Sequence, residues 1–253
     1  MHRELSIHRI HLTETESTNL YVRSAVSDAH AALITTDYQT AGRGQRGNTW
    51  ESEPGKNLLF TLSLPTKGIA ASQQFALSEL ISVALCDILS EYTEDIRIKW
   101  PNDIYYKGHK ICGILIEHDL EGAHLSRSLI GIGLNVNQTE FISDAPNPIS
   151  LAQILGREEE REVLLDAIVA RIIELYEQYT SPTPMLSREA LHTHYLNLLY
   201  RRDISAEYRD AQGSFTATLR AVEPDGRLRL EDPQGVLRSY LFKEVAYVVR
   251  LGD

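Results

Sequence analysis

Gly42-Arg43-Gly44-Gln45-Arg46-Gly47 interleaves three glycines with two arginines. Glycine lets backbone N–H groups come close to an anion and adopt the positive φ angles this needs. The arginines can then close over the bound charge. Further along stand Lys99-Trp100-Pro101-Asn102-Asp103 and Lys110-Ile111-Cys112-Gly113-Ile114-Leu115. Asn102 and Asp103 suit polar contacts to a nucleotide or its magnesium ion, and also a turn that folds back on its own backbone. Lys110 opens an otherwise apolar strand, where a lysine either reaches out to water or aims a cation into a pocket. Gly113, three residues on, would let a ligand approach the backbone. The chemistry suggested is the handling of an anion by local cations.

The glycine loop lacks the Gly-Lys-Ser/Thr ending of a P-loop. It is not a dinucleotide fingerprint either, because arginines fill its variable positions and a strand follows it. Taken alone it could be a solvated hairpin loop. Ser17-Thr18-Asn19 reads as a helix N-cap that could also hydrogen-bond a small polar ligand. Asn135, after Gly131-Ile132-Gly133-Leu134, suits a polar contact at a strand end.

These residues need elements to hold them. Alternation over 7–12 and short apolar, strand-like runs over 31–38, 57–64, 96–100, 111–117 and 128–136 predict strands. Helical spacing predicts helices over 75–89, 151–155, 160–179 and 187–199, the first with Leu77, Leu80, Ile81, Ala84, Leu85 and Ile88 on its apolar face. Tyr105 to Gly108 suggests a hairpin turn, and Pro146 and Pro148 a loop. After Asp203 short alternating segments are broken by Gln212-Gly213, Pro224-Asp225-Gly226 and Gln234-Gly235, which are turn signals between strands. The pattern predicts a domain over 1–200 and a small all-β domain over 201–253.

The chain has 253 residues, 43% hydrophobic and 24% charged, with a formal net charge of −10. Such acidity argues against a general nucleic-acid binder, so specific DNA recognition is not expected. Lys99, Lys110 and the loop arginines would have to form any local basic site. No apolar run approaches the roughly 18 residues of a membrane span. Cys86 and Cys112 are the only cysteines, and core filling is their expected role. With no disulfide scaffold and no apolar leader at the start, a reducing cytoplasm is the expected compartment. His109-x-x-Cys112 has no second ligand pair nearby, so no zinc site is expected.

In this order, Ser17-Thr18-Asn19, Gln39 with Gly42 to Gly47, Trp50, Lys99 to Asp103, Lys110-x-x-Gly113-Ile114-Leu115 and Gly131-x-Gly133-Leu134-Asn135 resemble the biotin protein ligases. The likeness extends to Pro224-Asp225-Gly226-Arg227-Leu228 in the last segment. It implies an α+β fold: a central mixed β-sheet with flanking helices, related to class II aminoacyl-tRNA synthetases, followed by a small SH3-like β-barrel. It implies two half-reactions. Biotin carboxylate attacks the α-phosphate of ATP to give biotinyl-adenylate and pyrophosphate. The adenylate then acylates one lysine of a biotin carboxyl carrier domain. Magnesium would come with the ATP, with no firm protein ligands.

The resemblance implies roles residue by residue. Lys110 and Arg43 would be catalytic. Ser17, Thr18, Asn19, Gln39, Arg43, Gly44, Gln45, Lys110, Gly113 and Leu115 would bind biotin. Gly42, Arg46, Trp50, Asn102, Asp103 and Asn135 would bind ATP and the adenylate. Few residues precede the first strand, as in the short, monofunctional members that lack a DNA-binding domain. The family often has arginine where this chain has Gln45, and a base where it has Asn48. A lipoate or octanoate transferase of the same superfamily would usually carry a Gly-Gly-Gly loop, and this chain has no Gly-Gly pair. A non-catalytic biotin sensor would use the same residues without turnover. An exposed sheet edge could pair two subunits into a homodimer.

Overall fold

The computed structural model describes residues 5–27, 30–143, 147–181 and 183–249, without the side chain of Arg46. Pro146, one of the two expected loop prolines, lies outside the described residues. The chain divides into two compact units, Met1–Ala71 with His109–Ile173, and Ser72–Gly108 with Glu174–Asp253.

The first unit is built on a mixed sheet. β1 (Ile7–Thr15) runs parallel to β2 (Ala31–Gln39), with α1 (Thr18–Ala25) between them in sequence. β3 (Leu58–Pro65) pairs antiparallel with β2 and with β7 (His124–Leu134). β7 in turn forms a hairpin with β6 (His109–Glu121), which turns at Gly122, where φ is 62°. Side chains alternate between faces along each strand, and directly paired residues share a face. Ile34, Thr61, Gly131 and Leu115 therefore form one row across the sheet. Gly133 and Gly113 form part of the next row, on the same face.

α1 lies on this face. Its Val22 packs with Ala32, Ile34 and Leu129, flanked by Ile10, Leu12, Tyr21 and Val26. Removing the two methyl groups of Val22 would cost about 1–2 kcal/mol, at about 0.8 kcal/mol per buried carbon. The long β2–β3 connection carries the glycine loop, with a 3-10 turn at Gln45–Gly47. Backbone bonds hold it at both ends: Thr40 N–H donates to Thr15 O and Ala41 N–H to Glu16 O, each at 3.0 Å, and Trp50 N–H donates to Gly42 O at 3.0 Å. α3 (Leu151–Leu155) begins with a full capping box between Ser150 and Gln153.

In the second unit, α2 (Phe75–Leu89) has the predicted bounds, and its burial is wider than the predicted face. Val83 and Cys86 are buried with Leu77, Leu80, Ile81, Ala84 and Leu85. α2 packs on α5 (Arg188–Asn197) and on the hairpin of β4 (Ile96–Lys99) and β5 (Asp103–Tyr106). Beyond α5 comes an antiparallel sheet in the order β11-β10-β9-β8-β12, formed by Ser205–Asp210 (β8), Gly213–Val222 (β9), Leu228–Glu231 (β10), Leu237–Tyr240 (β11) and Val245–Tyr247 (β12). Five short antiparallel strands are what an SH3-like domain requires. α4 (Arg161–Thr180) runs through the sequence boundary at Ile173 and buries Leu165, Ile168, Val169, Ile172 and Tyr176, an apolar stripe at helical spacing.

Candidate active site

The glycine-bearing face of the first unit collects most of the predicted residues. Trp50, at the end of the glycine loop, lies flat against β6 and β7. A Cβ built on Gly133 would sit 2.5 Å from Trp50 Cε2, and one on Gly113 would sit 2.7 Å from Trp50 Cζ3. Any side chain at either position would lift the indole off the sheet. Lys110 completes this corner. Its Cε lies 3.3 Å from the position of a Gly113 Cβ, and its ammonium is 5.7 Å from the Trp50 ring centre. The Lys110 backbone is fixed on both sides, its N–H donating to Asn147 O at 2.8 Å and its carbonyl accepting from Ile149 N–H at 3.0 Å. Gly42 also needs its missing side chain, since a Cβ there would meet Trp50 O at 2.6 Å.

The start of α1 forms the second part of the site. Ser17, Thr18 and Asn19 are all buried. Ser17 is the N-cap residue, yet its side chain makes no capping bond. The side-chain oxygen of Gln39 caps the helix instead, accepting from Thr18 N–H at 2.9 Å and from the Thr18 hydroxyl at 3.2 Å. Ser17 thus holds the expected N-cap position, while a side chain from β2 makes the capping bond. Thr61 Oγ1 lies 2.6 Å from Asn19 Oδ1 and 2.8 Å from Thr18 Oγ1. Its single proton can serve only one of them at a time. Asn19 Nδ2 donates to Glu117 Oε2 at 2.9 Å.

Glu117 and Thr61 were not singled out from the sequence, because each sits at an ordinary alternating strand position. Glu117 joins the two parts of the site. Besides Asn19, it faces Arg43 Nη2 at 3.9 Å and Arg23 Nη2 at 3.8 Å. Arg43 is substantially exposed, so its pair with Glu117 contributes little to stability and can be exchanged for another anion. Nearby, burial alone would raise the Asp119 carboxyl. Hydrogen bonds from Arg23 and Arg127 bring it below its ordinary value. Gln45 Nε2 donates to Ile114 O at 3.3 Å, which ties the loop to β6. Gly44 N–H donates to Asn48 O at 2.7 Å and narrows the loop.

Asn135 is buried at the end of β7. Its Nδ2 donates to Ile149 O at 3.1 Å, and its Oδ1 has no hydrogen-bond partner among the described residues. The Trp50 indole N–H is likewise buried without one. A buried polar atom left unpaired costs roughly 1–3 kcal/mol. Both would gain from a ligand in this corner.

Asn102 and Asp103 belong to the second unit, where Asp103 is the register partner of Lys99. Lys99 lies in this unit as well. Its ammonium lies over the rings of Tyr105 and Tyr247, at 5.0 and 5.3 Å from their centres. Trp100 is buried, as a core tryptophan. Among the described residues no three His, Cys, Asp or Glu side chains gather as metal ligands. No described helix is long and apolar enough to cross a membrane.

A mixed sheet that carries a glycine-floored corner, a cationic loop and a buried polar pocket on one face is the layout of an acid-activating ligase. The chain belongs to the biotin/lipoate A/B protein ligase family, whose profile matches residues 9–135. It is 28% identical over 239 residues to the bifunctional ligase/repressor BirA of Salmonella typhimurium, covering 91% of this chain and 71% of that protein. It is 32% identical over 167 residues to the biotin–[acetyl-CoA-carboxylase] ligase of Paracoccus denitrificans, covering 62% of this chain and 68% of that one. Its fold matches the biotin protein ligase of Aquifex aeolicus, solved with biotin and ATP, with a TM-score of 0.78 and 25% identity over 96% of this chain and 99% of the other.

Proposed function

We propose that the chain is a biotin protein ligase, which activates biotin with ATP and transfers it to a lysine of a carboxylase's biotin carboxyl carrier domain. The observation that carries this reading is the joining of two unlike surfaces on one sheet face. The Thr18–Asn19–Thr61–Gln39 network offers both donors and acceptors. A cyclic urea, the head of biotin, has one carbonyl and two N–H groups and can use both. The dithiolane of lipoate has neither, which disfavours the lipoate reading. Beside that network stand Lys110 and Arg43, able to hold a carboxylate against a phosphate.

In the first step a carboxylate oxygen of biotin bonds to the α-phosphorus of ATP, and pyrophosphate leaves with the bond it breaks. Two anions must meet, so cations are needed where charge accumulates. Lys110 and Arg43 supply them. Ser17, Thr18, Asn19 and Gln39 orient the head group, with Leu115 as an apolar wall and Gly113 allowing close approach. Trp50, Asn135 and Gly42 serve the nucleotide side, with Arg46, Asn102 and Asp103 assigned there by their place in the motif. Magnesium enters with ATP as part of that substrate. In the second step the carrier lysine amine attacks the acyl carbon and AMP leaves. Residues 1–200 would carry this chemistry and residues 201–253 an accessory domain. Biotin-dependent exchange of labelled pyrophosphate into ATP tests the reading. A protein that binds biotin but shows no exchange would be a sensor and not a ligase.

Gln45 bears on how the intermediate is retained. A neutral hydrogen bond contributes roughly 0.5–1.5 kcal/mol, a charge-assisted one roughly 1.5–3. Gln45→Arg is expected to slow release of biotinyl-adenylate by about fivefold, the equivalent of ~1 kcal/mol. Stopped-flow dissociation of the adenylate from both proteins measures it, and faster release from the variant would show that this loop has been reshaped around glutamine.

A further inference from the structure

In the second unit, the three residues that precede Asn102 are each held by the C-terminal part of the chain. The Lys99 ammonium lies against Tyr247 of β12. The Trp100 indole N–H donates to Gly226 O at 2.9 Å, and its ring meets Phe242 edge-on with centres 5.8 Å apart. Pro101 O accepts from the Tyr195 hydroxyl at 2.8 Å. Trp100 and Tyr195 are both buried, so these bonds are shielded from water.

Gly226 occupies the tight turn between β9 and β10. Its φ is +91°, and a Cβ there would meet Phe75 Cδ2 at 2.7 Å. The turn is closed by Glu223 N–H donating to Arg227 O, and Arg188 Nη2 donates to Pro224 O, each at 2.8 Å. The Gly226 carbonyl is thus placed by the turn's own bond and by the Arg188 anchor. On the other side of the contact, Ile98 pairs through its N–H and carbonyl with Leu198 and Tyr200. The segment from Ile98 to Pro101 is thus held by the C-terminal part of the chain as well as by the β4–β5 pairing.

We infer that Trp100 is a positioning residue, through which the Pro224–Arg227 turn of the C-terminal module sets the orientation of Asn102 and Asp103. The inference rests on the reading that these two residues serve ATP. It makes the C-terminal module a determinant of nucleotide binding by way of one indole N–H, with no contact of its own to the nucleotide required. Trp100 then acts on ATP and not on biotin.

Trp100→Phe keeps a buried ring and removes the donor. In pyrophosphate exchange it is expected to raise KM for ATP about fivefold, the scale of one hydrogen bond, with KM for biotin changed less than about twofold. Gly226→Ala, which displaces the same carbonyl, should shift the two constants in the same pattern. Leu219→Val, a buried change in β9 away from the turn, should lower Tm and leave both constants alone. An unchanged KM for ATP in Trp100→Phe, or an equal rise for biotin, overturns the inference while leaving the ligase reading standing. Wild-type protein without biotin-dependent exchange would overturn both.

Discussion

Lys110→Ala is expected to lower the rate of adenylate formation by about 10²–10³ while the protein stays folded, the usual cost of losing a preorganised contact to charge that develops in a transition state. The side chain stands at the corner where Trp50 meets Gly113 and Gly133, with its stem on Gly113 and its ammonium beside the indole. The fold survives because the Lys110 backbone bonds to Asn147 and Ile149 do not involve the side chain. Biotin binding in the absence of ATP should weaken much less than turnover, since the ground-state carboxylate can still use water and Arg43. Lys110→Arg keeps the charge but brings a planar fork in place of a compact ammonium, and should recover only part of the rate. Single-turnover adenylation and biotin titration, run on the same preparations, separate the two effects. Near-normal adenylation by Lys110→Ala would remove the lysine from the mechanism.

Much of this arrangement could be read from the residues, and the limits have physical causes. The bounds of α2 follow from a long apolar periodicity that tertiary contacts reinforce. The strands on either side of the glycine loop are legible as short continuous apolar runs with clear punctuation, and both are buried on two faces over most of their length. Trp50, Lys110 and Gly113 could be assigned together only by motif. Their common corner depends on the β6–β7 register, which pairs Gly113 with Gly133 and which no local pattern specifies. Glu117 and Thr61 were missed for the same reason. Each is one polar residue in a strand, and only pairing across the sheet brings them to Asn19. Ser17 shows local propensity yielding to a tertiary partner, since Gln39 reaches the helix start from another strand. Lys99, expected in a basic site, holds its ammonium over two tyrosine rings, a contact that no local pattern specifies.

Gly131→Ala should weaken biotin binding by about 10²-fold through a single methyl group. A Cβ at residue 131 would lie 2.5 Å from Asn19 Oδ1, well inside contact distance. One of the two must move. Gly131 is paired with Thr61 on one side and Leu115 on the other, so its backbone is held by both neighbouring strands. Asn19 therefore gives way. It is buried between Thr61 Oγ1 at 2.6 Å and Glu117 Oε2 at 2.9 Å, and a shift large enough to relieve the clash lengthens both bonds. The displaced amide then loses its own hydrogen bonds to the head group; one or two such bonds amount to roughly 1–3 kcal/mol, about 5-fold to 150-fold in affinity. The stability loss is limited, because Glu117 keeps Arg43 and Arg23 as partners. If Asn19 is the residue that transmits the effect, Gly131→Ala should cost little more when added to Asn19→Ala, since two changes on one contact are not additive. Calorimetric titration of biotin into the two single variants and the double variant completes this cycle. A Gly131→Ala protein that binds biotin within threefold of wild type, or two losses that simply add, would show that the Asn19 amide does not hold the head group.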